Sequence, residues 1–170
     1  MKKTAWITML ALCAALMLTA CGMSKVASEG AHSKDAASSE EDLSYESAAG
    51  KQIRVTAGEV EVIVTLNDSH AASDLVEMLP LELTLIERNS FAKGMTLPAH
   101  LSAEEETTRE YSIGDFGYWD AGPDLAIFYD DIYEQTVVPV IPLGKAEAGA
   151  ELLANTSGTV TLELMETGSE

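Results

Sequence analysis

Apolar and polar residues alternate in two neighbouring stretches of the chain. Ile53, Val55 and Ala57 alternate with Gln52, Arg54 and Thr56, and beyond Gly58 the residues Val60, Val62, Val64 and Leu66 alternate with Glu59, Glu61 and Thr65. A period of two puts each set on its own face of a sheet, so the pair predicts a β-hairpin with one buried face. Ile63 interrupts the polar set, which predicts partial cover of the outer face. The period then changes. Asn67, Asp68 and Ser69 are helix N-cap candidates, Ala71, Ala72, Leu75, Val76 and Leu79 follow at helical spacing, and Pro80 stops the helix. Leu81, Leu83 and Leu85 alternate again, predicting a third strand that runs to Glu87.

Residues 89–108 are irregular, with Gly94, Pro98 and the run Glu104, Glu105, Glu106; they read as a long surface loop holding one short strand around Met95 and Leu97. Residues 114–119 and 125–129 predict a second, aromatic-rich hairpin around a Gly122-Pro123 turn. Residues 137–143 read as a further strand, which Pro139 and Pro142 confine to an edge or a bulge. Residues 146–153 read as a short helix, and Val160, Leu162 and Leu164 as a last alternating strand. Many short strands, two short helices and turn signals between them describe a mainly β chain closed, or nearly closed, into a barrel.

The first fifty residues have a different composition. Lys2 and Lys3 precede an apolar or small-residue run over residues 5–20. That run is shorter than the ~20 apolar residues that span a bilayer, and its layout is that of a secretory signal. It ends Leu18-Thr19-Ala20-Cys21, which resembles the lipobox of bacterial lipoproteins. The resemblance implies that the Cys21 thiol receives a diacylglyceryl group and that a peptidase cuts between Ala20 and Cys21. More than one acyl chain gives stable attachment, so the expected location is extracytoplasmic, lipid-anchored to the cell membrane. From residue 22 to residue 50 Ser, Ala, Glu and Gly dominate. Such a segment cannot bury enough apolar surface to offset its ordering entropy. It is expected to be a disordered tether with a root-mean-square span of about 30 Å. The expected organisation is a signal peptide over residues 1–20, a lipidated cysteine and tether over 21–50, and one domain over 51–166.

Charge narrows the partners. With 28 acidic against 10 basic residues the net charge is -18, which repels nucleic-acid backbones and anionic headgroups alike. No nucleic acid is expected, and the membrane is expected to be reached through the lipid on Cys21 alone. Both cysteines, Cys13 and Cys21, precede the domain. The domain therefore has no disulfide, thiol nucleophile or thiolate metal site.

Several strings of the ordered part point to a family. Leu66-Asn67-Asp68, a short helix, and then Leu79-Pro80-Leu81-Glu82-Leu83-Thr84-Leu85 resemble the opening of a small bacterial cyclophilin-like family. So do Gly114-Asp115 with Tyr118-Trp119, the run from Leu125 to Tyr129, and Pro142-Leu143-Gly144. The resemblance covers about residues 51–166. It implies a closed eight-stranded antiparallel barrel with a short helix over each open end. Fold does not carry function. Cyclophilins proper, which are peptidyl-prolyl isomerases, work with an arginine beside an apolar proline pocket, held in a strand motif that this chain does not contain. By sequence none of Arg54, Arg88 and Arg109 stands in such a setting. Some relatives occur beside flavodoxin-like modules, which implies an extracytoplasmic redox system as a further setting.

Candidate chemistry is sparse. His70 falls at the start of the first helix. Ser102 and His100 with an aspartate make a triad on paper, but no nucleophile-elbow signature accompanies them. Asp115, Asp120, Asp124, Asp130 and Asp131 crowd one hairpin without the spacing of a calcium loop, and turn chemistry with an acidic rim is the expected role. Neither a metal nor a cofactor is expected. Phe116, Tyr118, Trp119, Phe128 and Tyr129 concentrate aromatic surface in the same hairpin, and alternation sets Phe128 opposite Ile127 and Tyr129. The expected function is a non-catalytic or weakly catalytic binding module that takes a peptide or small ligand at Tyr118, Trp119, Phe128 and Tyr129. The alternatives are a diverged prolyl isomerase acting on exported proteins and an accessory domain of a redox system.

Overall fold

The computed structural model describes residues 46–166. The expected signal segment, Cys21 and the expected tether as far as residue 45 lie outside the described residues. Eight antiparallel strands close into a barrel in the order β1-β2-β7-β5-β6-β4-β3-β8. β1 (Gln52–Ala57) and β2 (Val60–Leu66) pair with Val55 opposite Val62 and Ile53 opposite Val64. Their alternation sends Ile53, Val55, Ala57, Val62, Val64 and Leu66 into the core and leaves Ile63 half-covered outside.

α1 (His70–Met78) starts at Ser69, whose hydroxyl accepts the Ala72 N–H at 3.1 Å, satisfying one of the donors a helix start leaves open. It ends because Leu79 is extended, the conformation imposed on a residue before proline. Ala71, Ala72 and Leu75 cover one end of the core. β3 (Leu81–Arg88), β4 (Ala92–Thr96), β5 (Asp115–Trp119), β6 (Asp124–Phe128), β7 (Ile141–Ala146) and β8 (Gly158–Leu164) complete the barrel. A 3-10 helix, Ala150–Asn155, buries Ala150 and Leu153 at the other end.

Four expectations change. The short strand read around Met95 and Leu97 lies earlier and is a barrel strand, residues 92–96: Lys93 points inward with Met95 while Ala92 and Gly94 face out, so no apolar alternation marks its start. The strand read at residues 137–143 is instead Ile141–Ala146. Pro142 enters it where the pairing with β5 shifts register between Phe116 and Gly117, an irregularity that accommodates a residue without an N–H. The helix read at 146–153 is shorter and later, because Ala146 still pairs with Val64 and Gly149 turns the chain with φ 88°. Order also begins upstream of Lys51: Ala48 is fully buried, and the Gly50 N–H reaches the Leu66 carbonyl at 2.9 Å. Where β2 meets β7, a Cβ on Gly144 would lie 2.3 Å from the Thr65 carbonyl oxygen, so the two backbones approach as only glycine allows.

Candidate functional site

The outer face of β4, β6 and β5 carries little side-chain bulk. Gly94 lies opposite Ala126, and Ala126 opposite Gly117. Beside this low floor stands an apolar cluster separate from the barrel core, made of Phe91, Ala92, Phe128 and Val140 with Tyr111, Trp119 and Ala126 against it. Its rings are packed together: Phe91 stacks on Phe128 at 5.6 Å between centroids, Tyr111 lies 4.8 Å from Phe128, and Tyr133 meets Phe91 edge-on at 5.4 Å. Offset and edge-on pairs are favourable beyond their area, so the rings of this wall support one another. Floor and wall enclose a groove of about 220 Å³, with Trp119 on its border and Val137 and Val138 along one side. The segment carrying those valines is tied down by the Thr136 N–H on the Arg109 carbonyl at 2.9 Å and the Tyr133 N–H on the Tyr111 hydroxyl at 3.0 Å.

Two charged side chains, Arg88 and Asp124, border this apolar space. Arg88 ends β3 and crosses the face of β4, so close that a Cβ on Gly94 would lie 2.7 Å from its Nε. Its Nη2 donates to the buried Asp124 carboxylate, which also accepts the Thr96 hydroxyl. The carboxylate fixes the guanidinium and balances its charge, leaving its other N–H donors to face the groove. By sequence no apolar pocket stood beside Arg88; the structure places it on this groove, because the β3–β4 hairpin pairs in turn with the distant β6.

The expected site residues separate. Trp119 and Phe128 border the groove. Tyr118 lies fully buried inside the barrel, its hydroxyl accepting the Leu101 N–H and donating to Asp120, each at 3.1 Å. Burial pushes that hydroxyl above its ordinary pKa, and the bond to Asp120 adds to the shift. Tyr129 also turns inward, at the end nearer the 3-10 helix, and donates to Glu87 at 2.8 Å. Its pKa is pushed up to about 12 by burial and then by the Glu87 bond and charge. Glu87 in turn accepts the buried Lys93 ammonium at 2.7 Å, and Lys93 also donates to the Thr156 carbonyl at 3.0 Å. Partial burial opposes ionisation of Glu87, but the bonds from Lys93 and Tyr129 win and hold it below the usual carboxylate range.

The remaining candidates do not converge. His100 Nδ1 meets Asp120 at 2.9 Å, and this bond, followed by that from Tyr118, lowers the Asp120 pKa. Ser102 meets Asp74 through its backbone N–H, which makes the paper triad a loop anchorage. Asp115 binds Lys145, Asp120 binds His100 and Asp124 binds Arg88; these three aspartates of the hairpin thus each engage a separate partner. The residues missed by sequence reasoning are Arg88, Phe91, Gly94, Ala126 and Val140. One signal was available, since Phe128 had to leave the core by alternation and something apolar had to cover it.

The model of the Cyclophilin-like family matches residues 55–165. No curated protein matches the chain. Among solved structures, the solution structure of the hypothetical protein AF2241 from Archaeoglobus fulgidus is similar over 72% of this chain and 100% of its own, at 16% identity and TM-score 0.59. The structure of McbB in complex with tryptophan is similar over 70% of this chain at 12% identity and TM-score 0.55, and the match takes in 46% of the McbB chain. At these identities the likeness is one of fold. The family match runs from within β1 to the residue after β8 and so takes in seven strands whole and the second half of the first. By that match the chain belongs to the cyclophilin-like family.

Proposed function

We propose that the domain is a binding module that takes an extended peptide or small apolar ligand in the outer-face groove, held outside the cytoplasmic membrane by the lipid on Cys21. The observation that carries the reading is an apolar groove of ligand scale bordered by one fixed, charge-balanced arginine. An apolar side chain fully buried there contributes about 1.5–3 kcal/mol, and Arg88 supplies a directed donor for a carbonyl. Asp124 beside it disfavours a ligand carboxylate. The one carboxylate lining the groove among the described residues, Asp124, is engaged by Arg88 and the Thr96 hydroxyl.

Arg88 beside an apolar groove also favours a second reading, a diverged prolyl isomerase, because cyclophilins proper use that pairing. One experiment treats both. The mature chain, isotopically labelled, is titrated with an Ala-Pro peptide by NMR with exchange spectroscopy. Tryptophan, the ligand in the McbB structure, serves as a small-molecule probe. Shifts at Arg88, Trp119 and Phe128 without cis–trans exchange peaks are expected. Exchange peaks would replace the binding module with the isomerase, and no shift at the groove with any probe would refute both. Anchoring is tested apart from this: Cys21→Ala is expected to abolish lipid labelling and processing, and unchanged labelling refutes it.

A further inference from the structure

A second cavity, of about 130 Å³, lies on the same outer face and shares Phe128 and Val140 with the groove. The two cavities therefore flank one apolar ridge. Beneath the ridge the floor is continuous, since Ala126 pairs with Gly117 and Gly117 with Pro142 across β6, β5 and β7. A chain crossing the ridge could place one residue in each cavity. The second cavity differs in charge: Glu110 and Asp115 line it. Asp115 is already engaged by Lys145 and the Ser112 N–H. The Glu110 carboxylate has no hydrogen-bond or ion-pair partner among the described residues; only its backbone N–H is used, on the Thr108 hydroxyl.

The surroundings carry the same sign. In the segment that leads to Val137 on the groove, Asp130, Asp131 and Glu134 are interleaved with exposed Ile132 and Tyr133. Arg88 is balanced by Asp124 and Lys145 by Asp115, and neither cavity is lined by a further lysine or arginine among the described residues. A second copy of the chain, at net charge -18, and an anionic lipid surface are both repelled.

We propose that the two cavities form one track for a cationic peptide, an apolar residue filling the Arg88 groove and a lysine or arginine reaching the Glu110 carboxylate. The inference rests on the reading of the groove as the binding site and adds to it the class of ligand. Apolar anchors hold the peptide; the cation sets its direction and preference.

The test is calorimetric titration of the mature chain with two peptides of equal length around one Ala-Pro core. One is flanked by alanine and the other by lysine, and each is titrated into the wild type and Glu110→Gln. The lysine peptide is expected to bind about threefold to fivefold tighter than the neutral one to the wild type, as an exposed ion pair provides. The advantage is expected to shrink in salt and to vanish in E110Q, with neutral-peptide affinity unchanged. Equal binding of both peptides overturns the cationic class and leaves the groove reading standing. A lysine preference that survives in E110Q overturns the role of the second cavity, because attraction by net charge then suffices. Binding of neither peptide removes the groove reading itself.

Discussion

Lys93 and Glu87 form an ion pair whose two members differ sharply in exposure, 5% against 47% of side-chain surface. Removing the exposed member is therefore expected to cost more than removing the buried one. Glu87→Gln keeps the shape but leaves a buried ammonium with only the Thr156 carbonyl and the Tyr129 ring, 5.4 Å away. Stranding one charge of a buried pair costs about 3–5 kcal/mol. Half-exposure of Glu87 means its attraction is already screened by water, which lowers the expectation to about 2–3 kcal/mol. Lys93→Met fills most of the space of the lysine stem. It leaves Glu87 to water and Tyr129, so its main losses are an unpaired Thr156 carbonyl, about 1–2 kcal/mol, and the weak cation–ring attraction. The double variant has no stranded charge and is expected to be no less stable than E87Q alone, giving a coupling of about 2 kcal/mol in the cycle. Urea unfolding followed by Trp119 emission reads these values. With a slope near 1–3 kcal/mol per molar, E87Q is expected to move the midpoint down by about 1–2 M. Strict additivity, or K93M losing more than E87Q, would mean that Glu87 does not hold the lysine charge, and the argument fails.

Three further outcomes follow from contacts already described. Because the Tyr129 pKa is raised from 10.0 to about 12, its contribution to stability is full below pH 10 and is lost as the pH rises from there through 12. The stability of Tyr129→Phe should lack that loss, and parallel wild-type and variant curves of unfolding midpoint against pH would refute it. Gly94→Ala is expected to swing the flexible Arg88 side chain off the groove floor at a folding cost of ~1 kcal/mol or less, weakening peptide binding; unchanged NMR titrations would contradict the role given to Arg88. Gly144→Ala drives a Cβ into the Thr65 carbonyl and is expected to cost about 3 kcal/mol or more, whereas Gly58→Ala, in open space at φ 63°, should cost about 1 kcal/mol. Equal losses in thermal unfolding would refute that contrast.

The parts of the fold legible in the sequence are those where a single physical rule acts alone. β1 and β2 have one wet and one dry face, so their period is plain, and α1 carries both its cap and its stop. Only the Met95 end of β4 was legible, because its inward position 93 is a lysine, neutralised by Glu87 from the neighbouring strand, and its outward positions are Ala92 and Gly94. β7 was misplaced because Pro142 suggests a break where the sheet instead shifts register. The groove was less legible still. Two of its features, Phe128 leaving the core and Trp119 beside it, follow from alternation within one hairpin. Its floor is an absence of side chains on strands far apart in sequence, and Arg88 reaches it from a third strand. Pairing between distant segments has no periodic signature.

The closed sheet constrains how any partner can be held. A barrel without free edges offers no row of unpaired backbone groups, so a guest peptide cannot lengthen it by joining as a ninth strand. Grip has to come from a few side chains seated in shallow cavities and from isolated donors such as Arg88. Contacts so few favour short residence times, because most differences in affinity are differences in release. Under the anchoring proposed for Cys21, quick release would let one tethered copy sample many passing chains without becoming locked to one.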